Sequence, residues 1–316
     1  MSLIKSHRKP TAVIVPAIFA WVFTALGTVV LKDYGWSVFI FTPFFIGLCA
    51  TVIWGLHFKA TTREYFDITT LSLLLFCAGL VLFALEGVIC IIMAAPLGLI
   101  ISFLGVFFGQ AIVKYKQSTL PIVIGLTCFI PALMGFESKY QKLPELYSTT
   151  TSVIIDQPKE KVWNEVITFS KIAEPTEWFF NAGIAYPTHA EIIGTGKGAI
   201  RYCNFSTGRF VEPITEWKES ELLQFSVLET PAPLKEISPY DINPAHLHEY
   251  FVSKKGQFKL TALPGGRTLL EGTTWYTHKI KPGFYWKFWS DYIIHKIHSR
   301  VLSHIKNEVE SGTKTY

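Results

Sequence analysis

Apolar residues occur in two different arrangements along this chain. Between Pro10 and Phe136 they form long blocks almost free of charge, and from Tyr147 onward they alternate with polar residues at strand spacing or recur at helical spacing. An uncharged run from Pro10 to Leu31 follows the basic start Lys5, Arg8 and Lys9, and it matches the ~20 residues needed to cross a bilayer core. It is too long for a signal-peptide core and carries no small-residue cleavage site, so it reads as an uncleaved span. A second span is expected over Trp36 to Leu56, before the polar segment His57 to Asp67. The 46 residues from Ile68 to Val113 contain one charge, Glu86, and accommodate two spans with a turn between Glu86 and Pro96. A last span is expected from about Thr119 to Phe136. The domain reading is therefore about five transmembrane helices over 1–136, a linker over 137–147, a water-soluble domain over 148–310 and a disordered tail over 311–316.

The second half alternates. Thr149 to Ile155 is a β-rich run, and Pro158 to Val166 reads as a helix with Pro158 near its first turn and Val162, Trp163 and Val166 on its apolar side. A second short helix is expected around Ser170 to Phe180. Strands are expected over Ala190 to Ile193, Ala199 to Phe205, Arg209 to Trp217, Leu222 to Val227, Tyr250 to Leu263 and Arg267 to Thr277, separated by glycine-containing turns. The insert Thr230 to Leu247 holds Pro231, Pro233, Pro239 and Pro244 and reads as a large surface loop or lid. A long helix closes the chain from about Gly283 to Glu310. At 100° per residue Phe284, Phe288, Asp291, His295, His298 and Leu302 share one arc of it, and Trp286, Trp289, Ile293, Ile297 and Val301 another. So wide an apolar surface suits a helix held in the concavity of a curved antiparallel sheet, an α+β arrangement.

Composition sharpens this division. The first 137 residues carry 8 Lys and Arg and 5 Asp and Glu, against 21 and 19 in the remainder, so only the second part has the polarity of a water-exposed domain. Basic residues flank alternate ends of the spans, at Lys5, Arg8 and Lys9, at Lys59 and Arg63, and at Lys114 and Lys116. With five spans this predicts a multi-pass protein of the inner (cell) membrane, its N-terminus cytoplasmic and its C-terminal domain extracytoplasmic. Four of the five cysteines (Cys49, Cys77, Cys90, Cys128) lie in apolar runs, which leaves Cys203 alone in the second half and excludes a disulfide framework there. Scattered Lys and Arg with a balance of +2 exclude a nucleic-acid partner, and oligomeric state is not written in the pattern.

The order strand, two helices, six strands and long helix, with Ser152-Val153-Ile154-Ile155-Asp156-Gln157-Pro158 running into Val162-Trp163, resembles the START-like polyketide cyclase and lipid-transfer superfamily (SRPBCC, the helix-grip fold). The resemblance covers roughly Thr149 to Lys306, here fused to a multi-span membrane region. Within that superfamily the chain is similar to bacterial membrane proteins with the stretches Arg209 to Trp217, Leu269 to Tyr276 and Trp289-Ser290-Asp291. The resemblance implies a cavity between sheet and helix that holds a membrane lipid or another hydrophobic small molecule. It transfers no catalytic motif, since members range from carriers to enzymes. Binding without reaction, an enzyme of cyclase, dehydrase or hydrolase type, and a structural or protein-interaction domain all remain open.

Candidate chemistry is sparse. Asp291, His295 and His298 stand at i, i+4 and i+7, one side of the last helix, and could act as acid and base, bind a zinc-like metal, or form a buried polar network. His246 and His248 would point the same way from an extended segment. Glu212 and Glu271 interrupt strand patterns, and Trp275, Phe288 and Trp289 could line a ligand chamber. Cys203 reads as a core side chain. Glu86 is either a functional carboxylate at membrane depth or a group that reaches water at the outer turn. No cofactor is implied by any of these patterns.

Overall fold

A computed structural model describes residues 2–56, 60–115, 119–140, 143–240, 244–248 and 250–312. The chain divides into two compact units, and the division is not a single cut. The first unit comprises Met1–Leu143 together with Glu236–His246 and Ile280–Pro282, and the second comprises Pro144–Lys235, Leu247–Lys279 and Gly283–Tyr316.

Among the described residues of the first unit are five helices long and apolar enough to cross a membrane. They are α1 (Ser2–Ala25, continued by a π-helical turn over Leu26–Val30), α2 (Thr42–Gly55, preceded by a π-helical turn over Ser37–Phe41), α3 (Thr62–Leu82), α4 (Val88–Lys114) and α5 (Thr119–Lys139). Thr61 and Glu64 form a reciprocal capping box that starts α3. The turn between α3 and α4 is 83–87, which meets the expected window at Glu86 and Gly87 and begins three residues before it, and Pro96 lies inside α4. An apolar neighbourhood tolerates such a proline, because adjacent helices and local adjustment re-satisfy the freed carbonyl. Contact between α2 and α4 is backbone to backbone: a Cβ added at Gly47 would lie 1.8 Å from the Ser102 carbonyl oxygen, and one at Gly105 would lie 2.3 Å from that of Phe44. Gly105 and Gly109 form the small-xxx-small spacing that permits this approach.

The second unit runs β1 (Leu146–Ile155), α6 (Lys159–Ile167), α7 (Trp178–Asn181), β2 (Pro187–Ile193), β3 (Ile200–Phe205), β4 (Gly208–Lys218), β5 (Leu222–Ser226), β6 (Phe251–Leu263), β7 (Arg267–His278) and α8 (Gly283–Ser311). All seven strands join one antiparallel sheet in the order β1-β7-β6-β5-β4-β3-β2. Register shifts at Pro187/His189, Ile214/Glu216 and Ser253/Lys255 mark bulges, which bend strands and curve a sheet. The inner face packs Ile155, Ile214, Leu223, Leu260 and Leu270 against Val162, Trp163 and Val166 of α6 and Val301, Leu302 and Ile305 of α8. This is the helix-grip architecture, with a long C-terminal helix held by a curved sheet.

Two local expectations differ. The helix expected over Ser170 to Phe180 shrinks to the single turn of α7. The Ile172 amide donates to the Thr188 carbonyl (2.7 Å) and the Ala190 amide to that of Phe169 (3.1 Å), so this segment runs extended along β2, and Pro175 disfavours helix in the residue before it. On α8, Phe284 and Phe288 leave the inward arc and are 71 % and 65 % exposed, while Trp286 and Ile294 are buried. Of the tail expected over 311–316, Ser311 is the last residue of α8, and 313–316 lie outside the described residues.

Candidate functional site

Between the sheet and α8 of the second unit is a cavity of about 130 Å³. Its wall is largely apolar, with Phe205, Phe210, Val227, Ile297 and Val301 among its side chains, and Thr230 to Pro233 from the insert line it as well. The expected lid is thus split. Its first residues border this cavity, whereas Glu236–His246 belongs to the first unit. Among its described residues one 3₁₀ turn, Ala245–Leu247, is regular.

A charged pair stands in the apolar wall. Arg201 on β3 and Glu212 on β4 are direct cross-strand partners, and the Arg201 guanidinium donates from Nη1 to Glu212 Oε2. Both are buried, Arg201 at 1 % exposure. The rings of Phe169, Phe225 and Phe258 surround the guanidinium at 5.4 to 5.5 Å. Burial raises the Glu212 carboxyl above its usual range, and Arg201 opposes that rise. The Arg201 Nε is buried with no hydrogen-bond partner, which leaves one donor of the fork unused beside the cavity. Gly256 on β6 makes room here, since a Cβ at that position would meet the Phe225 ring at 2.6 Å. The side-chain pattern of β3 held the signal for Arg201: Ala199, Arg201 and Cys203 alternate on one face, and a charge at the middle of that series needs a partner.

The stripe on α8 is a hydroxyl-linked network. Asp291 Oδ1 accepts from Thr149 Oγ1 (2.5 Å) and the Tyr276 hydroxyl (2.7 Å), and Oδ2 accepts from Lys287. Burial works against the Asp291 charge, but these donors outweigh it and hold the carboxyl below its usual range. His295 Nδ1 is 2.9 Å from Thr151 Oγ1, and His298 sits between Thr274 (2.8 Å) and Thr151 (3.2 Å). Of the three, His298 alone lines the cavity, and burial, followed by the neighbouring His295, lowers its pKa to about 4. It is a neutral imidazole at physiological pH.

The other candidates scatter. Glu271 faces away from the cavity and lies 3.9 Å from Lys259, its cross-strand neighbour. Trp275 lies under the Lys255 ammonium, 4.1 Å from the ring centroid. Phe288 is exposed, and Trp289 is half-buried with its indole N–H unpaired. His246 and His248 do not share a direction: His246 is buried in the 3₁₀ turn and His248 is exposed, because a helical turn splays residues two apart. Glu86 is buried in the first unit, where the Tyr34 hydroxyl donates to its Oε1 (2.9 Å). Cys203 is in the core, its thiol pushed up to about 12 by burial, which removes it as a nucleophile.

No family model matches the chain, and no curated protein matches it at a significant level. Among solved structures it is similar to the Zhui aromatase/cyclase of a Streptomyces species, at 12 % identity and a TM-score of 0.36 over 54 % of this chain and 98 % of that one. Norcoclaurine synthase from Thalictrum flavum aligns at 11 % identity and a TM-score of 0.34, over 54 % of this chain and 97 % of its own. Ara h 8.0201 aligns at 13 % identity and 0.34, over 53 % and 99 %. The helix-grip assignment rests on the strand order and the position of α8.

Proposed function

We propose that this protein is a membrane-anchored binder of a small hydrophobic molecule or of one apolar segment of a lipid, with the polar end of that ligand directed at Arg201 and Glu212. The observation behind this reading is an apolar cavity interrupted by one buried charge pair with an unused guanidinium donor. Its volume of about 130 Å³ is below the ~300 Å³ of a drug-sized site. It is close to the ~150 Å³ in which a benzene-sized molecule is held. The ligand is accordingly a ring-sized molecule or part of a longer one. Small molecules extracted from the full-length protein in mild detergent and identified by mass spectrometry test the reading. A single species should be enriched over the detergent background, and Val227→Phe, which fills the cavity from its half-buried wall, should reduce it several-fold while the protein stays monodisperse. Equal amounts in both proteins would reject binding in this cavity.

The five apolar helices support an anchor, and the basic flanks support an N-terminus inside the cytoplasm with the second unit across the inner membrane. A reporter active only outside the cytoplasm should be active when fused after Tyr316 and silent when fused after Lys59. The reverse pattern would overturn this orientation.

A catalytic reading, with Asp291, His295 and His298 as acid and base, has one observation in its favour, the position of His298 on the cavity wall. Threonine hydroxyls face both of its ring nitrogens, so the binding reading takes precedence. It would displace that reading if detergent-solubilised protein converted the extracted molecule and His298→Asn abolished the conversion.

A further inference from the structure

Four side chains of the first unit that play no part in the cavity converge on one buried point. Glu86 ends the turn after α3, Gly87 precedes α4, and Cys90 lies in the first turn of α4. The segment Glu236–His246, part of the same unit, supplies Glu236 and His246. Its start lies beside the turn, since the Val88 amide donates to the Ile237 carbonyl at 3.1 Å. Gly87 is the residue that admits the Glu236 carboxylate: a Cβ there would lie 2.0 Å from Glu236 Oε2. Cys90 Sγ is 3.1 Å from His246 Nε2, Glu236 Oε1 is 3.7 Å from the same nitrogen, and Glu86 Oε2 is 3.5 Å from Nδ1. One donor atom from each residue lies within 4.8 Å of all the others.

These groups are short of partners. The Glu236 side chain is 1 % exposed, and among the described residues its carboxylate has Cys90 and His246 as polar neighbours; Glu86 Oε2 and His246 Nδ1 face each other at 3.5 Å without forming a well-aligned hydrogen bond. Among the described residues no lysine or arginine pairs with either carboxylate. Two carboxylates face one imidazole and one thiol here, and a buried carboxylate with no cation to balance it costs several kcal/mol. A divalent cation removes that imbalance. A thiolate, an imidazole and two carboxylates are the donor types zinc takes, and a tetrahedron with bonds of ~2.0 to 2.3 Å has edges of about 3.3 to 3.8 Å, against 3.1 and 3.7 Å from His246 Nε2 to Cys90 Sγ and Glu236 Oε1. Tyr34 orients the set from behind, donating to Glu86 Oε1 while its ring meets the imidazole edge-on at 5.0 Å.

We infer that Glu86, Cys90, Glu236 and His246 form a binding site for a zinc-class divalent metal ion that joins the start of α4 to the segment 236–246. This site stands or falls independently of the cavity in the second unit. Its test is metal analysis of the full-length protein, purified in detergent, loaded with zinc and dialysed. Wild type should retain about one zinc per chain, and His246→Gln and Glu236→Gln should each bind at least about tenfold more weakly. Cobalt loaded in place of zinc should give thiolate-to-metal charge-transfer absorption that is lost in Cys90→Ser. Should any variant fail to fold, alkylation of the wild type, mapped by mass spectrometry, decides: bound zinc should protect Cys90 and leave Cys128 as reactive as before. Wild-type protein that is monodisperse but retains no zinc, or zinc that neither protects Cys90 nor depends on His246, would overturn the site and leave a histidine between two carboxylates.

Discussion

Replacing Arg201 by alanine should destabilise the second unit by about 3 to 5 kcal/mol, because the Glu212 carboxylate is then left buried without its cation. For a domain of this size that is a fall in Tm of roughly 6 to 20 °C. Glu212→Ala should cost about as much, since it strands a guanidinium among three phenyl rings. The double change Arg201→Leu with Glu212→Leu should recover most of the loss, because an apolar pair of similar volume removes both desolvation penalties. Thermal unfolding followed by tryptophan emission reads the result, since six of the nine tryptophans belong to this unit and Trp163 and Trp217 pack edge to face at 5.5 Å in its core. A stable double variant that no longer retains ligand would show that the pair serves binding at the expense of stability. If Arg201→Ala unfolded with the wild type, the pair would contribute nothing and the proposed polar end of the cavity would lose its basis.

Gly47→Ala should be the most damaging single methyl in the first unit. The added carbon would sit 1.8 Å from a backbone oxygen of α4, and a main-chain atom cannot swing aside as a side chain can. Separating α2 from α4 would loosen every contact along that crossing, so the cost is set at about 3 kcal/mol or more, the upper end for overpacking. The control is Gly98→Ala on α4, where nothing lies within 4 Å of the new carbon and alanine is the better helix former. Size-exclusion profiles after heating in detergent should show Gly47→Ala aggregating at markedly lower temperature and Gly98→Ala unchanged. Equal behaviour of the two would mean that the helices do not cross at Gly47.

Period-two alternation placed all seven strands of the sheet to within a few residues, because one face of each strand is buried and the other is not. The Arg201–Glu212 pair was legible by the same logic one step further on. With Ser206-Thr207 as the turn, Phe205 faces Gly208, and counting four back and four on brings Arg201 opposite Glu212. Glu212 stood out as a charge in a strand, but its partner stayed hidden until the register was applied. The helix expected near Ser170 failed for a different reason: its apolar residues bury themselves beside β2, and local pattern cannot tell a docked extended segment from a short helix. The cluster around Glu86 was beyond any local rule. Cys90 and His246 are 156 residues apart, and what joins them is the path of a proline-rich insert that has no periodicity to read. Glu86 and His246 each drew notice alone, while Cys90 and Glu236 looked like an apolar-run cysteine and a loop carboxylate.

The interleaving of the two units has a consequence for the order of events during synthesis. α5 ends at Lys139, yet the pieces that complete the first unit, Glu236–His246 and Ile280–Pro282, are encoded about a hundred residues and more downstream. At ~5 to 20 residues per second, the ribosome reaches the first of these some 5 to 20 s after the last apolar helix has been made. During that interval the nascent helices hold Glu86 and Cys90 without Glu236 and His246, and most of the second unit's sheet emerges before the first unit is whole. Neither unit is therefore a self-contained stretch of the gene, and recombination or truncation at the apparent boundary near Pro144 would leave the first unit short of both downstream segments.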